Sequence, residues 1–147
     1  MMSPTENSPP EMIQYLSVEQ ILIAHTELIK RYGGSEGVRD RGLLESAVFH
    51  PQASAFGKDA YVTLFEKCAV LGYSLIQNHS FVDGNKRIGF AAIHLMLLIN
   101  GYDLTSITKE ETAMAENIAS GKMRETGIVQ WLKQCSKKSL RKSKDKR

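Results

Sequence analysis

Nine consecutive residues hold most of the reactive chemistry of this chain: His79-Ser80-Phe81-Val82-Asp83-Gly84-Asn85-Lys86-Arg87. They gather an imidazole, a carboxylate, an amide and two cations around one glycine. An apolar helical run, Ile88 to Ile99, follows at once. A polar loop feeding a helix N-terminus is a recipe for an anion site, because free N–H groups and the helix dipole both point at the ligand. Lys86 and Arg87 add side-chain charge of the sign that phosphates need. Histidine ordinarily titrates near neutrality, so His79 can accept a proton at cellular pH. Asp83 offers the hard oxygen that Mg²⁺ prefers. Together these residues predict phosphoryl or nucleotidyl transfer from a magnesium nucleotide.

Each residue also has an ordinary reading. Asp83-Gly84 alone is a turn pair, and Asn85 alone a helix N-cap. Lys86 and Arg87 alone are solvated charges, although cations in a first helical turn oppose the dipole by roughly 0.3–1 kcal/mol each. The joint occurrence at this spacing is what favours a site.

The elements that must position the nine residues are helical. Ser17 and Gln20 form a capping box that opens a helix with Val18, Ile21, Leu22, Leu28 and Ile29 on one stripe. Gly33-Gly34 ends it. His25 lies within it and reads as a packing or surface histidine. Asp40 is the expected N-cap of a helix over 42–49, stopped by Pro51. Residues 50–59 read as a connecting loop. Tyr61 to Gln77 repeats apolar residues at helical spacing and delivers His79 at its end, with Gly72 allowing close packing. The run Ile88 to Asn100 is apolar almost all round and should be the most buried helix; His94 within it reads as a core or helix-contact residue. Thr108 and Glu111 predict a further capping box, and Thr126 starts a last helix. Strand-like alternation is nearly absent. The expected fold is therefore all-α, a single compact domain of about six helices over residues 15–135.

Composition bounds the rest. At 147 residues one domain is the default, and 42% hydrophobic with 24% charged residues is ordinary for a globular protein. The longest apolar run is too short to span a bilayer. The first ten residues are polar and proline-bearing, which predicts no secretory leader. Cys68 and Cys135 make no disulfide framework, which suits a cytoplasmic protein. The net charge of +3 is uneven: residues 133–147 carry eight Lys/Arg against one Asp, leaving the preceding 132 residues at −4. Residues 1–14 and 136–147 are expected to be disordered, the latter a basic tail able to touch nucleic acid only weakly.

The nine residues resemble the signature of the Fic/Doc superfamily, and within it the death-on-curing (Doc) branch. The general Fic pattern is H-P-F-x-D/E-G-N-G-R-x-x-R; the Doc pattern is H-x-F-x-D/N-A/G-N-K-R. Lys86 stands where Fic proteins carry glycine, and Phe90 where they carry a second arginine. The likeness runs from about Tyr15 to Lys133 and includes Arg31-Tyr32-Gly33-Gly34. The resemblance implies a toxin kinase that moves the γ-phosphate of ATP to a Ser or Thr hydroxyl of a protein, elongation factor Tu by family precedent, under restraint by a small antitoxin. It casts His79 as the base and Asp83 as the Mg²⁺ ligand. Gly84, Asn85, Lys86 and Arg87 become the phosphate cradle, with the N–H groups of the first three as an anion nest. Phe81 would anchor the loop in the core. It also implies that the 50–59 connector acts as a flap. The alternatives are AMP transfer by the same residues, or a non-catalytic interaction module. Thr112 to Asn117 fits S/T-x-x-x-E-G/N, an inhibitory motif of some Fic proteins, but its partner arginine is replaced by Phe90, so the match reads as coincidence.

Overall fold

The first helix, α1 (Val18–Tyr32), opens with the expected reciprocal cap: Gln20 N–H donates to Ser17 Oγ at 3.1 Å, and Ser17 N–H to Gln20 Oε1 at 2.8 Å. The computed structural model that shows this describes residues 13–139. The helix presents Ile21, His25 and Ile29, spaced four apart, to the interior. Asp40 then caps α2 (Arg41–Phe49) by accepting from Leu43 N–H at 3.0 Å. Pro51 diverts the chain into a short 3-10 turn, His50–Gln52.

The expected connector over 50–59 contains a hairpin. Strands β1 (Ser54–Ala55) and β2 (Lys58–Asp59) pair antiparallel, with Phe56 and Gly57 both at positive φ in a tight two-residue turn. Its base is tied inward by Lys67, which is fully buried and donates to Asp59 Oδ2 and to the Pro51 carbonyl, both at 3.1 Å.

Helix α3 (Leu64–Asn78) starts three residues later than its apolar pattern suggests. The reason is a second capping box: Thr63 Oγ1 accepts from Glu66 N–H, and Glu66 Oε1 accepts from the N–H groups of Thr63 and Val62. The site loop leads into α4 (Asn85–Ile99). Strand β3 (Tyr102–Leu104), α5 (Thr108–Ala119), α6 (Glu125–Cys135) and β4 (Ser136–Lys138) complete the described chain. The expected Thr108–Glu111 box does not form. Thr108 is already helical, Glu110 Oε1 accepts from Ile107 N–H, and Ser106 Oγ donates to Glu111 Oε2.

The architecture is all-α with six α-helices among the described residues, trimmed by two short antiparallel pairs. β4 lies against β3, Tyr102 opposite Lys138 and Leu104 opposite Ser136. Structure thus reaches past both expected domain limits: β4 extends beyond residue 135, and Ile13 is buried. The rest of the expected termini lies outside the described residues.

One expectation about the core is corrected. α3, not α4, is the most buried helix: eleven of its residues are buried against six of α4. α4 turns one face to a cavity, which its all-round apolar sequence hides. The two helices cross at a pair of glycines. A Cβ on Gly72 would stand 2.4 Å from Ile93 Cδ1, and one on Gly89 2.4 Å from Ile76 Cγ1. Each glycine also backs onto the other's carbonyl, so the backbones approach at a distance no larger residue permits. This contact packs α3 directly on α4, the two helices that the site loop joins.

Candidate active site

His79 is the last residue before the loop and adopts the left-handed conformation, φ 50 and ψ 50. For a non-glycine residue that costs about 1–3 kcal/mol and must be held from outside. Arg39 holds it. The Arg39 guanidinium donates to the carbonyls of His79 (2.6 Å) and Asn78 (3.1 Å), two acceptors left over at the end of α3. The main-chain N–H groups of Arg39 and Asp40 both reach the Ser80 carbonyl, at 2.7 and 3.0 Å. The imidazole is exposed and makes no hydrogen bond among the described residues, so it faces outward with both nitrogens available.

The segment from Gly33 to Asp40 runs antiparallel along the whole motif. Arg87 Nη1 donates to Gly33 O at 2.9 Å; Ser35 N–H to Asp83 Oδ2 at 3.1 Å; Val82 N–H to Gly37 O at 3.0 Å. Val38 forms a bridge with Phe81, and Arg39 meets His79. One stretch of chain therefore aligns the proposed base, acid and cation along a single edge.

Asp83 is exposed, and its two carboxylate oxygens each accept one main-chain N–H, from Ser35 and from Gly84 (2.9 Å). Those bonds, Ser35 first and Gly84 second, and then the nearby charge of Arg87, hold its carboxyl below the usual carboxylate range. The acid is ionised, and each oxygen retains a free lone-pair direction. Mg²⁺ usually takes one or two protein carboxylates, with waters and nucleotide phosphates filling its octahedron. A single exposed, ionised Asp83 fits that pattern. A dedicated cage of three or more acidic, His or Cys ligands does not occur among the described residues.

The phosphate cradle differs from its sequence reading in three ways. Gly84 does have the left-handed φ of 77 that lets the chain turn into α4, but its N–H is engaged by Asp83 Oδ1. The nest is thereby reduced to the first-turn N–H groups of α4, which begin at Asn85. Asn85 does not offer its side chain outward: Oδ1 accepts from Phe81 N–H and Nδ2 donates to Phe81 O, both at 3.0 Å. It staples the loop instead. Lys86 Nζ lies 2.6 Å from Glu116 Oε2 on α5. Both side chains are about half exposed, and such a pair is worth only about 0.2–1 kcal/mol, less than a charge-assisted bond to phosphate at about 1.5–3 kcal/mol. Arg87 keeps most of its donors and sits 5.9 Å over the Tyr32 ring.

Phe81 is buried, as expected, and stacks on His25 with centroids 3.7 Å apart and planes at 11°. His25 is itself buried and lies 2.7 Å from the Asp83 carbonyl. Sequence reasoning set His25 aside, though its place four residues from both Ile21 and Ile29 marked it for the inner stripe. It also passed over Arg39 and Ser35, which carry no motif of their own. His94 is half exposed and contacts Asp103 at 2.9 Å. Cys68 is buried, and burial pushes its thiol far above the ordinary range, so it is inert.

A cavity of about 630 Å³ opens beside the cations, between α1, α4 and α5. Tyr32, Lys86, Arg87, Phe90, His94 and Glu116 are among its walls; His79 and Asp83 are not. The loop edge that presents the proposed base and acid, and the cavity, thus meet at Lys86 and Arg87.

Comparison with known proteins places the chain in a family. The sequence profile of the Fic/DOC family matches residues 15–97, the stretch from just before α1 through most of α4. The chain is 46% identical to "Toxin Doc" of Mycolicibacterium smegmatis over 95 residues, 65% of this chain and 71% of that protein. It is 32% identical to "Protein kinase doc" of Escherichia phage P1 over 89 residues, 60% of this chain and 70% of that one. The matched segment contains every contact that shapes the loop from His79 to Arg87 apart from Glu116, and on this combined ground the chain belongs to the Fic/DOC family.

Proposed function

We propose that this protein is a Doc-type toxin kinase that transfers the γ-phosphate of ATP to a serine or threonine hydroxyl of a protein. The observation that carries the reading is the shared edge on which the Gly33–Asp40 segment aligns His79, Asp83 and Arg87. His79, outward and unpartnered among the described residues, takes the proton of the attacking hydroxyl, which needs contact of about 2.6–3.2 Å directly or through one water. The first-turn N–H groups of α4 and the guanidinium of Arg87 hold phosphate oxygens where charge develops. Lys86 does the same once it leaves Glu116. When held by Asp83, Mg²⁺ would neutralise charge on the bridging phosphates. The relative called a protein kinase, and Lys86 in place of the Fic glycine, favour γ- over α-phosphate transfer.

By the same resemblance the protein acts in the cytoplasm on elongation factor Tu and is restrained by a small antitoxin. None of its described helices is long and apolar enough to cross a membrane. The test is incubation of the full chain with elongation factor Tu and ATP labelled at either position. Label arriving from the γ position supports the kinase; label arriving from the α position replaces it with AMP transfer. No transfer by wild type, with identical behaviour of His79→Ala, leaves an interaction module.

A further inference from the structure

His25 reaches the site from below. It projects from the middle of α1, outside the nine-residue motif, and only 3% of it is exposed. The Asp83 carbonyl can only accept, so the hydrogen of the 2.7 Å contact sits on His25 Nε2, which fixes the tautomer of the ring. The opposite edge of the same peptide unit is the Gly84 N–H, which donates to Asp83 Oδ1 at 2.9 Å. A peptide unit is planar, and its C=O and N–H point in opposite directions. Fixing the carbonyl from one side therefore fixes the N–H that aims the carboxylate on the other. Gly84 makes that restraint necessary. Lacking a Cβ, it resists rotation of the preceding peptide less than any other residue. The space beneath it is filled by α1: a Cβ there would meet Ile29 Cδ1 at 3.2 Å and His25 Nε2 at 3.4 Å.

We propose that His25 is a positioning residue that locks the Asp83–Gly84 peptide plane and so sets the direction of the Asp83 carboxylate at the mouth of α4. The role of that carboxylate in transfer rests on the function proposed above; the lock itself does not. Stacking on Phe81 holds the imidazole flat against the loop, and the Nε2 hydrogen bond supplies the direction.

The two contributions separate by substitution. His25→Phe keeps a ring against Phe81 and loses the donor; His25→Leu serves the same arm if the larger ring does not fold. His25→Gln keeps a donor and loses the stack. Ile128→Ala, in the buried face of α6, is a packing control of comparable or greater destabilisation. In ¹H–¹⁵N spectra of the full chain without ligand, His25→Phe should move the Gly84 and Ser35 amide signals and raise Gly84 amide exchange at least tenfold. His25→Gln should return both toward wild type, and Ile128→Ala should move neither. Unmoved Gly84 and Ser35 signals in the donor-less variant, or equal movement in the packing control, overturn the lock. Phosphate transfer is read on the same samples. A loss of at least tenfold in His25→Phe, partly restored in His25→Gln, ties the lock to transfer, and a wild-type rate severs the two. Absence of transfer by the wild type rejects the kinase reading, while the amide signals still decide the lock.

Discussion

Replacing Arg39 by methionine tests whether the left-handed turn at His79 is imposed from outside. Methionine keeps an unbranched stem but loses both hydrogen bonds to the carbonyls of His79 and Asn78. Each is worth about 0.5–1.5 kcal/mol net, and at this exposed position water recovers part of it, so the loss is about 1–2 kcal/mol. The main-chain bonds from residues 39 and 40 to Ser80 O survive, so the loop stays attached. For a domain of this size a loss of that order lowers the melting temperature by roughly 2–8 °C. The effect on transfer should be larger than on stability. A base displaced by about 1 Å can cost on the order of 100-fold in rate. The assay is thermal unfolding beside single-turnover phosphate transfer. Arg41→Met is the control, because among the described residues Arg41 pairs only with Glu45 and both are more than half exposed; it should change neither by much. If Arg39→Met melts with wild type and transfers at the wild-type rate, the guanidinium does not hold His79 and the reasoning is refuted.

Gly72→Ala should destabilise the protein by about 1–3 kcal/mol through overpacking against Ile93, whereas Gly57→Ala, with open space around it, should cost about 1–2 kcal/mol or less from its φ of 78 alone; chemical unfolding of both ranks them. Glu116→Gln should free Lys86, tighten ATP binding at low salt and leave the fold within about 1 kcal/mol of wild type, as nucleotide titration at two ionic strengths and a melt would record. The pH dependence of Asp83 has a definite sign. Its folded pKa is lowered, so the bonds from Ser35 and Gly84 favour the closed loop above the ordinary carboxylate value of about 4. That contribution is lost as pH falls through the lowered value. Protection of the Ser35 amide, taken relative to its intrinsic exchange rate at each pH, should therefore fall as the pH drops below about 4, and Asp83→Asn should remove that fall.

How much of this was legible in the sequence depended on the range of the interaction. Local signals read well. The Ser17–Gln20 and Asp40 caps, the glycine after α1 and the helical stripes of α1, α3 and α4 each depend on residues within a few positions. So did Gly72, whose need for close packing could be stated although its partner, Gly89, could not. Misreadings arose where two local signals competed. Thr63 and Glu66 outranked the apolar pattern that reaches back to Tyr61, and Glu110 took the place expected for Glu111. The hairpin over 54–59 escaped notice because two-residue strands have no periodicity to detect, and its anchor, Lys67, sits inside an apolar helix where a lysine reads as an exposed interruption.

At the site, the motif was visible but the division of labour within it was not. A pattern of polar residues around a glycine suggests that all of them face a ligand. The structure separates them. Asn85 and Phe81 close the loop on itself, and the Gly84 N–H belongs to Asp83. The orientation of the remaining groups comes from residues 40 or more positions away: Arg39 for His79, Ser35 and His25 for Asp83, Gly33 for Arg87. Except for His25, these supports act from one loop between α1 and α2, and most use main-chain atoms, which leave no trace in residue type. That is why the chemistry could be inferred from nine residues while the reason for its geometry could not. It also implies that the tolerance of this site to substitution is set as much by the Gly33–Asp40 segment as by the motif. A change there that preserves every motif side chain can still turn His79 away from the cations.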